Sequence, residues 1–372
     1  MHPDLPYVDL VPRSLRAAQG SALAMAQQLK NVRGIGPRME VHRWTECVGS
    51  RLLTLSSGSG ADSGGARGTE DHQWTFRTLE MPATSLSGRG IVIGHPDSGY
   101  RQHPEYDARA VRHDIQWDFL NETDSEPMVT SAESLTAGSH GTGTGSTLIS
   151  AHNPDGVYGM APGASIAPLR VTQPGWLLPS PALLSSKRLS DAIHHAVDHR
   201  VDVLSISLGM LVNSARLKTA IDRALSAGII VVAAAGNYTS FKDVYPAAYP
   251  GVVSCAACNI AKKPWEWSAW GDHVDVVAPG EAVWRATVDE AGNPVIGRSA
   301  GTSYATTHVA GLAALWLEKH GGREAIMRAN SGDGTAVART FLQQLRAASS
   351  DPGELPRRHY GAGLVNASRL LA

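Results

Sequence analysis

The chain has 372 residues, with 33 Lys plus Arg against 34 Asp plus Glu and a formal net charge of −1. That balance excludes a basic footprint for nucleic acid and an acidic interaction tail, and no apolar run reaches the length of a membrane span. The length admits one large domain or two with a sizeable core, and 38 glycines imply many tight turns.

The first residues, MHPDLPYVDLVPRSL, lack the charged start and apolar centre of a signal peptide, so the chain as written reads as cytoplasmic. A secreted chain from which a leader had been trimmed would look the same. Residues 12–30 read as a moderately amphipathic helix, and MEVHRW and SRLLTL as short strands. SSGSGADSGGARG, residues 56–68, has the composition of a flexible linker, which sets a boundary between an N-terminal extension, 1–70, and a larger domain, 71–372.

Beyond Asp71 the pattern alternates. GIVIG, SIAPLRV, VDVLSIS, GIIVVAAAG, GVVSCAA and VDVVA are short apolar runs rich in β-branched residues. Helical segments lie between several of them. SDAIHHAVDHR places Ile193, Ala196 and Val197 on one face with Ser190 as a cap, and SARLKTAIDRALSAG stops at Gly228. Continuous apolar strands separated by helices predict a three-layer α/β domain with a mainly parallel central sheet. In such a sheet chemistry gathers at the carboxyl ends of the strands, so the polar residues there carry the functional reading.

The first strand ends in GHPDSGY, placing Asp97 at a carboxyl end. DFLNETDSEP, residues 118–127, is oxygen-rich, with Asp118 and Asp124 as candidate calcium ligands; a solvated acidic loop accounts for it equally well. His140 opens GSHGTGTGSTLIS, whose glycines at 141, 143 and 145 could also be read as a phosphate cradle, although no Lys follows them. Asn237 ends AAAGN, where its amide could serve a turn or donate to an oxyanion. The cysteines are Cys47, Cys255 and Cys258. The CxxC pair sits inside the apolar run GVVSCAACNI without a second pair, as small buried strand residues do.

Last comes GTSYATTHVAG, where Ser303 precedes apolar positions Val309, Leu312, Leu315 and Trp316 at helical spacing. Ser303 could cap that helix or act as a nucleophile at the positive end of its dipole. Asp97, His140 and Ser303 together supply an orienting carboxylate, a base that titrates near neutrality and a hydroxyl that needs a base.

Several motifs in this order resemble the subtilisin-like serine peptidases. Gly90-Ile-Val-Ile-Gly-His-Pro-Asp97-Ser-Gly99 is similar to the aspartate motif, His140-Gly-Thr142 to the histidine motif and Ala235-Gly-Asn237 to the oxyanion segment. Gly301-Thr-Ser303-Tyr-Ala-Thr-Thr-His-Val-Ala-Gly311 resembles the serine motif, and Tyr360-Gly-Ala-Gly-Leu-Val-Asn-Ala367 the domain's usual ending. The resemblance covers roughly residues 72 to 372 and implies a serine endopeptidase working through an acyl-enzyme. Its roles would be Asp97 as orienter, His140 as base and acid, Ser303 as nucleophile and Asn237 as oxyanion donor. It further implies that Ser207, Leu208 and Gly209 bind extended peptide, with Ala235, Gly236 and Val244 around the primary pocket. No cofactor is implied for the chemistry, structural calcium is common in the family, and the N-terminal extension would be a propeptide that inhibits until cut. The implied partner is a protein or peptide substrate, with neither nucleic acid nor a membrane.

The sequence departs from the family pattern in places. His95-Pro96 stands where two apolar strand residues are usual, and Pro96 predicts an early strand end or a bulge. Gly143 replaces a common second histidine, and Tyr304 and Thr307 replace Met and Pro after the serine. Two other readings remain at this point: a catalytically silent peptide-binding module on the same fold, and a nucleotide-binding oxidoreductase built on the glycine run and the CxxC.

Overall fold

Side chains on a strand alternate between two faces, so a strand buried on both sides must be apolar throughout; this chain supplies such strands repeatedly. A computed structural model describes residues 71–106, 108–122, 139–152, 155–172, 186–237, 241–289, 292–350 and 357–372. The helix expected at 12–30, the strands MEVHRW and SRLLTL, the glycine–serine linker and Cys47 lie outside the described residues.

The strands are β1 (Val92–Asp97), β2 (Trp117–Asp118), β3 (Ser165–Arg170), β4 (Val203–Ile206), β5 (Ile230–Ala234), β6 (Val253–Cys258) and β7 (Val276–Pro279). They form one parallel sheet in the order β2-β3-β1-β4-β5-β6-β7. Successive residues divide between two cores. Val203, Ile230 and Val232 enter one, with Leu312, Trp316 and Phe341. Leu204, Val231 and Ala233 enter the other, with Leu189, Ile193, Leu217 and Ile221. The three-layer α/β architecture expected from the sequence is the one observed.

The helices of the second core are α3 (Ser186–Asp198) and α4 (Ala215–Ser226); those flanking the first include α2 (Ser139–Ile149), α5 (Thr302–Lys319) and α7 (Thr335–Ala348), after a short α1 (Trp74–Thr78) and with α6 (Arg323–Ala329) between the last two. Ser214 caps α4 by accepting from Leu217 N–H, and Gly228 follows at φ +79°, a conformation that glycine adopts without steric cost. In α3 the described helix already runs from Ser186. Ser190 is therefore not its cap but an interior residue whose hydroxyl donates to the Ser186 carbonyl one turn back.

Pro96 neither ends β1 nor bulges it. The strand continues to Asp97, with Pro96 opposite Leu169 of β3. Val92 O accepts from Asp202 N–H, so even-numbered residues of β1 direct their backbone groups toward β4. Pairing with β4 stops at Gly94↔Leu204, two residues before the proline. The missing N–H is the one that the next rung to β4 would need, so the proline ends that pairing while β1 stays paired with β3 as far as Asp97.

Cys255 and Cys258 are both buried free thiols on β6, but three residues apart they face opposite sides, Cys255 in the first core and Cys258 in a smaller cluster with Val277 and Tyr360. They cannot make one site. An antiparallel hairpin, β8 (Val283–Val288) with β9 (Pro294–Ser299), packs against α2, and short helices α8 (Arg357–Tyr360) and α9 (Ala367–Leu370) complete the chain. Among the described residues no helix is long and apolar enough to cross a membrane.

Helix α5 is buried from Thr302 to Leu317 and lies across β4, β5, β6 and β7. His308 is in this interior, its Nδ1–H donating to Pro279 O at 3.1 Å. Burial pushes its pKa down to about 4, against the raising effect of the Tyr304 and Pro279 carbonyls. Between about pH 6.5 and 4 the unfolded chain binds this proton and the folded one does not. The resulting stability is complete above about 6.5 and is lost as pH falls toward 4. His308→Gln should flatten that loss by on the order of 3 kcal/mol between pH 7 and 4, measured by urea unfolding at both values. Parallel losses in the two proteins would remove His308 as the source.

Candidate active site

The strand order reverses beside β1: the chain lays β2 and β3 on one side and β4 through β7 on the other. Such a switch point opens a crevice at the carboxyl ends. Asp97 is the last residue of β1, fully buried at that crevice. A buried carboxylate must be compensated. Ser98 N–H donates to Oδ1 at 2.6 Å, and His140 Nδ1 lies 2.7 Å from the same oxygen. Burial alone would raise the Asp97 pKa. The charge of His140 and its hydrogen bond, with His95 and Ser98, outweigh burial and hold it at about 2.

Because an ionised carboxylate only accepts, the proton of a neutral His140 sits on Nδ1, which leaves Nε2 as an acceptor. Nε2 is 3.2 Å from Ser303 Oγ. His140 lies in the first turn of α2, and its glycines let that helix come close. A Cβ on Gly141 would stand 1.9 Å from Gly99 O and 3.2 Å from Asp97 Oδ1; one on Gly145 would stand 1.6 Å from Tyr106 Oη, which donates to Gly141 O at 3.0 Å. On the other face Gly143 meets the Arg285 side chain of β8. The glycine run is thus explained by packing on both sides of α2, and the phosphate-cradle reading loses its main feature.

Ser303 is the second residue of α5, 5% exposed, where backbone N–H groups have no carbonyl partner within the helix. Ser303 Oγ also lies 3.3 Å from Ser207 O, and Ser207 Oγ donates to Ser303 O at 3.1 Å. Asn237, just past β5, accepts at Oδ1 from Thr302 N–H at 2.9 Å and from the Thr302 hydroxyl at 2.8 Å. A backbone N–H can only donate, so these bonds fix the amide with Nδ2 on the other side. A Cβ built on Gly301 would lie 3.3 Å from Asn237 Nδ2, 3.7 Å from Ser303 N and 3.8 Å from Ser303 Oγ. The absent side chain therefore leaves a space bounded by two N–H donors and a hydroxyl.

Ser207, Leu208 and Gly209 continue β4 past its last pairing, Ile206↔Ala233. Gly209 lies against Val244, whose Cγ1 a Cβ would meet at 2.3 Å, and Met210 and Tyr245 exchange backbone hydrogen bonds next to it. Ala235 is buried and Gly236 half-buried, just before Asn237. The structure thus gathers Ser207–Gly209, Val244 and Asn237 on the Ser303 side of the crevice.

Asp118 is elsewhere, at the end of β2. Its oxygens accept from Arg170 at 2.8 Å, from the Asn121 side chain and from Leu120 and Asn121 N–H groups, so it serves an ion pair and a turn. Asp124 lies outside the described residues, and among those described no three His, Cys, Asp or Glu converge as a cation site. Residues that the sequence reading passed over also bear on the site: Thr302 fixes Asn237, Tyr106 supports Gly141, and Thr144 reaches Asp97. Thr144 follows His140 by four residues, the helical spacing that puts both on one face.

The match to the Subtilase family model spans residues 88–363. The chain belongs to that family. It is 38% identical over 186 residues to subtilisin E of Bacillus subtilis (strain 168), an alignment covering 49% of this chain and 46% of that protein. The chain thus spans about half the length of such curated relatives. Over a longer stretch it is 28% identical to subtilisin Savinase of Lederbergia lenta, covering 79% of this chain and 96% of the other. Among solved structures, a protease of Pseudoalteromonas arctica PAMC 21717 has a TM-score of 0.67 at 24% identity, covering 81% of this chain and 96% of that one. MycP1 with its N-terminal propeptide removed gives 0.60 at 22%, covering 80% and 96%. These structures share the fold.

Gly141→Ala tests how tightly α2 is held to β1. The new methyl group meets backbone at Gly99 O, so overpacking should cost about 1–3 kcal/mol in denaturant unfolding. An unchanged midpoint would mean that the segment yields without cost.

Proposed function

We propose that the chain is a serine endopeptidase acting on protein or peptide substrates. The observation that carries this reading is one hydrogen-bonded line, Asp97–His140–Ser303, ending beside Gly301, where Asn237 Nδ2 and Ser303 N lie close together. In this reading His140 Nε2 takes the Ser303 proton as Oγ attacks the scissile carbonyl. Asp97 keeps the imidazole in its tautomer and stabilises the imidazolium, and the carbonyl oxygen becomes an oxyanion between the two N–H donors. His140 then returns the proton to the leaving amine, and water, deprotonated by the same base, hydrolyses the acyl-enzyme.

An extended peptide would add as a strand along Ser207–Gly209, which lie beyond β4's pairing. Val244, with Ala235 and Gly236, would wall the pocket for the residue before the scissile bond and give it an apolar lining. Residues 1–70 are proposed to act as an inhibitory propeptide; MycP1, similar in fold, has an N-terminal propeptide.

Labelling with a fluorophosphonate, read by intact mass, tests the reading. One adduct is expected on the full chain or after cleavage near residues 56–70, and none on Ser303→Ala. No adduct on protein freed of its N-terminal segment would favour a silent peptide-binding module. Asn237→Ala should lower kcat roughly 10²–10³-fold, a range that itself comes from a subtilisin. A loss below about threefold would take Asn237 out of the oxyanion role.

A further inference from the structure

His140 uses only one oxygen of the Asp97 carboxylate. The other, Oδ2, faces Thr144 Oγ1 at 3.3 Å and His95 Nε2 at 3.7 Å, and those two atoms are 3.1 Å apart. His95, Asp97 and Thr144 are all buried. His95 precedes Asp97 by two residues and so shares its face of β1; Thr144 shares the face of α2 that carries His140. The pair thus meets the carboxylate at the oxygen that His140 does not use.

Proton counting gives His95 a task. The Thr144 hydroxyl has one proton and three acceptors around it: Asp97 Oδ2, His140 O at 2.9 Å and Gly141 O at 3.4 Å. Two of those are backbone acceptors of the helix bearing the base, and the third is the ionised oxygen. A His95 Nε2–H donating to Thr144 Oγ1 at 3.1 Å would occupy a lone pair of that oxygen and turn its one proton away from His95, toward Asp97 Oδ2 and the helix carbonyls. The titratable groups facing His95 are Asp97 on its own strand and His140 on α2; its burial keeps it neutral, with Asp97 acting to raise its pKa and His140 to lower it.

We infer that His95, acting through the Thr144 hydroxyl, is a positioning residue for Asp97. It holds Oδ2 so that Oδ1 remains in line with His140 Nδ1 while the imidazole gains and loses its proton. This rests on the triad reading above.

The test uses the full chain carrying His95→Val, His95→Gln, Thr144→Val and the double valine variant. His95→Val should lower kcat about tenfold with KM within about twofold, because the error is in alignment and not in substrate contact. His95→Gln, which retains an N–H donor, should recover most of the loss at an unchanged unfolding midpoint. The double variant should be no worse than the poorer single one, since both break one chain of bonds. A His95→Val kcat within about twofold of wild type, or strictly additive losses, would overturn the inference while leaving the triad standing. Nitrogen-15 histidine spectra of Ser303→Ala separate the two readings without turnover. A neutral His95 protonated at Nε2 is expected, and protonation at Nδ1 alone would overturn the role whatever the activity. A wild-type protein that neither labels nor hydrolyses would sink the triad reading and this inference together.

Discussion

A carboxylate withdrawn from water at the end of β1 sets the terms for the rest of the crevice. Several kcal/mol are at stake when such a group is buried, and attraction from an aligned donor offsets that cost only if geometry is held closely. Asp97 is met by Ser98 N–H and His140 Nδ1 on one oxygen and by Thr144 on the other. Those contacts require α2 to approach β1 almost backbone to backbone, which is why Gly99 and Gly141 face each other there. The parallel sheet makes such an arrangement available, because its strand order reverses at β1 and leaves the ends of β1 and β4 to diverge.

Ser303 satisfies a second constraint with the same residues. The first turn of α5 presents N–H groups without helical partners, and one of them, Thr302 N–H, is taken by Asn237 Oδ1. That bond terminates the helix and orients the amide so that Nδ2 and Ser303 N converge beside Gly301. Ser303 is not the cap of this helix. Thr302 and Asn237 provide the cap, and Ser303 is left with its hydroxyl toward His140.

The sheet could be read from the sequence because short apolar runs rich in β-branched residues recur between amphipathic helical segments. Asp97 and Asn237 could be found because strand ends are where polar residues of such sheets gather, and His140 and Ser303 because they open helices at the same edge. What escaped depended on pairing partners. Pro96 looked like a break, since nothing in the sequence says that pairing with β3 carries β1 past it to Asp97. Ser190 looked like a cap because serine serves both at a helix start and one turn inside. Thr302 carried no signal of its own in the sequence, because its partner Asn237 lies 65 positions earlier. His95 carried a readable signal, its two-residue spacing from Asp97, but that spacing gains meaning only once α2 brings Thr144 against both.

The distance between His140 and Ser303 depends on how α2 and α5 meet, and here two threonines make the junction. Thr147 Oγ1 and Thr307 Oγ1 lie 2.7 Å apart, while each also contacts a carbonyl of its own helix, Thr144 O at 2.7 Å and Tyr304 O at 2.8 Å. Two hydroxyl protons serve three contacts, so whichever threonine donates across the gap gives up its bond within the helix. The bond between helices is thus exchanged against one inside the helix that carries His140 or Ser303. A proline at 307 could make neither contact. With Tyr304 buried against Trp74, Val283 and Trp284, the residues that depart from the family's serine motif fasten α5 to its surroundings on two sides while leaving the Ser303 hydroxyl toward the crevice.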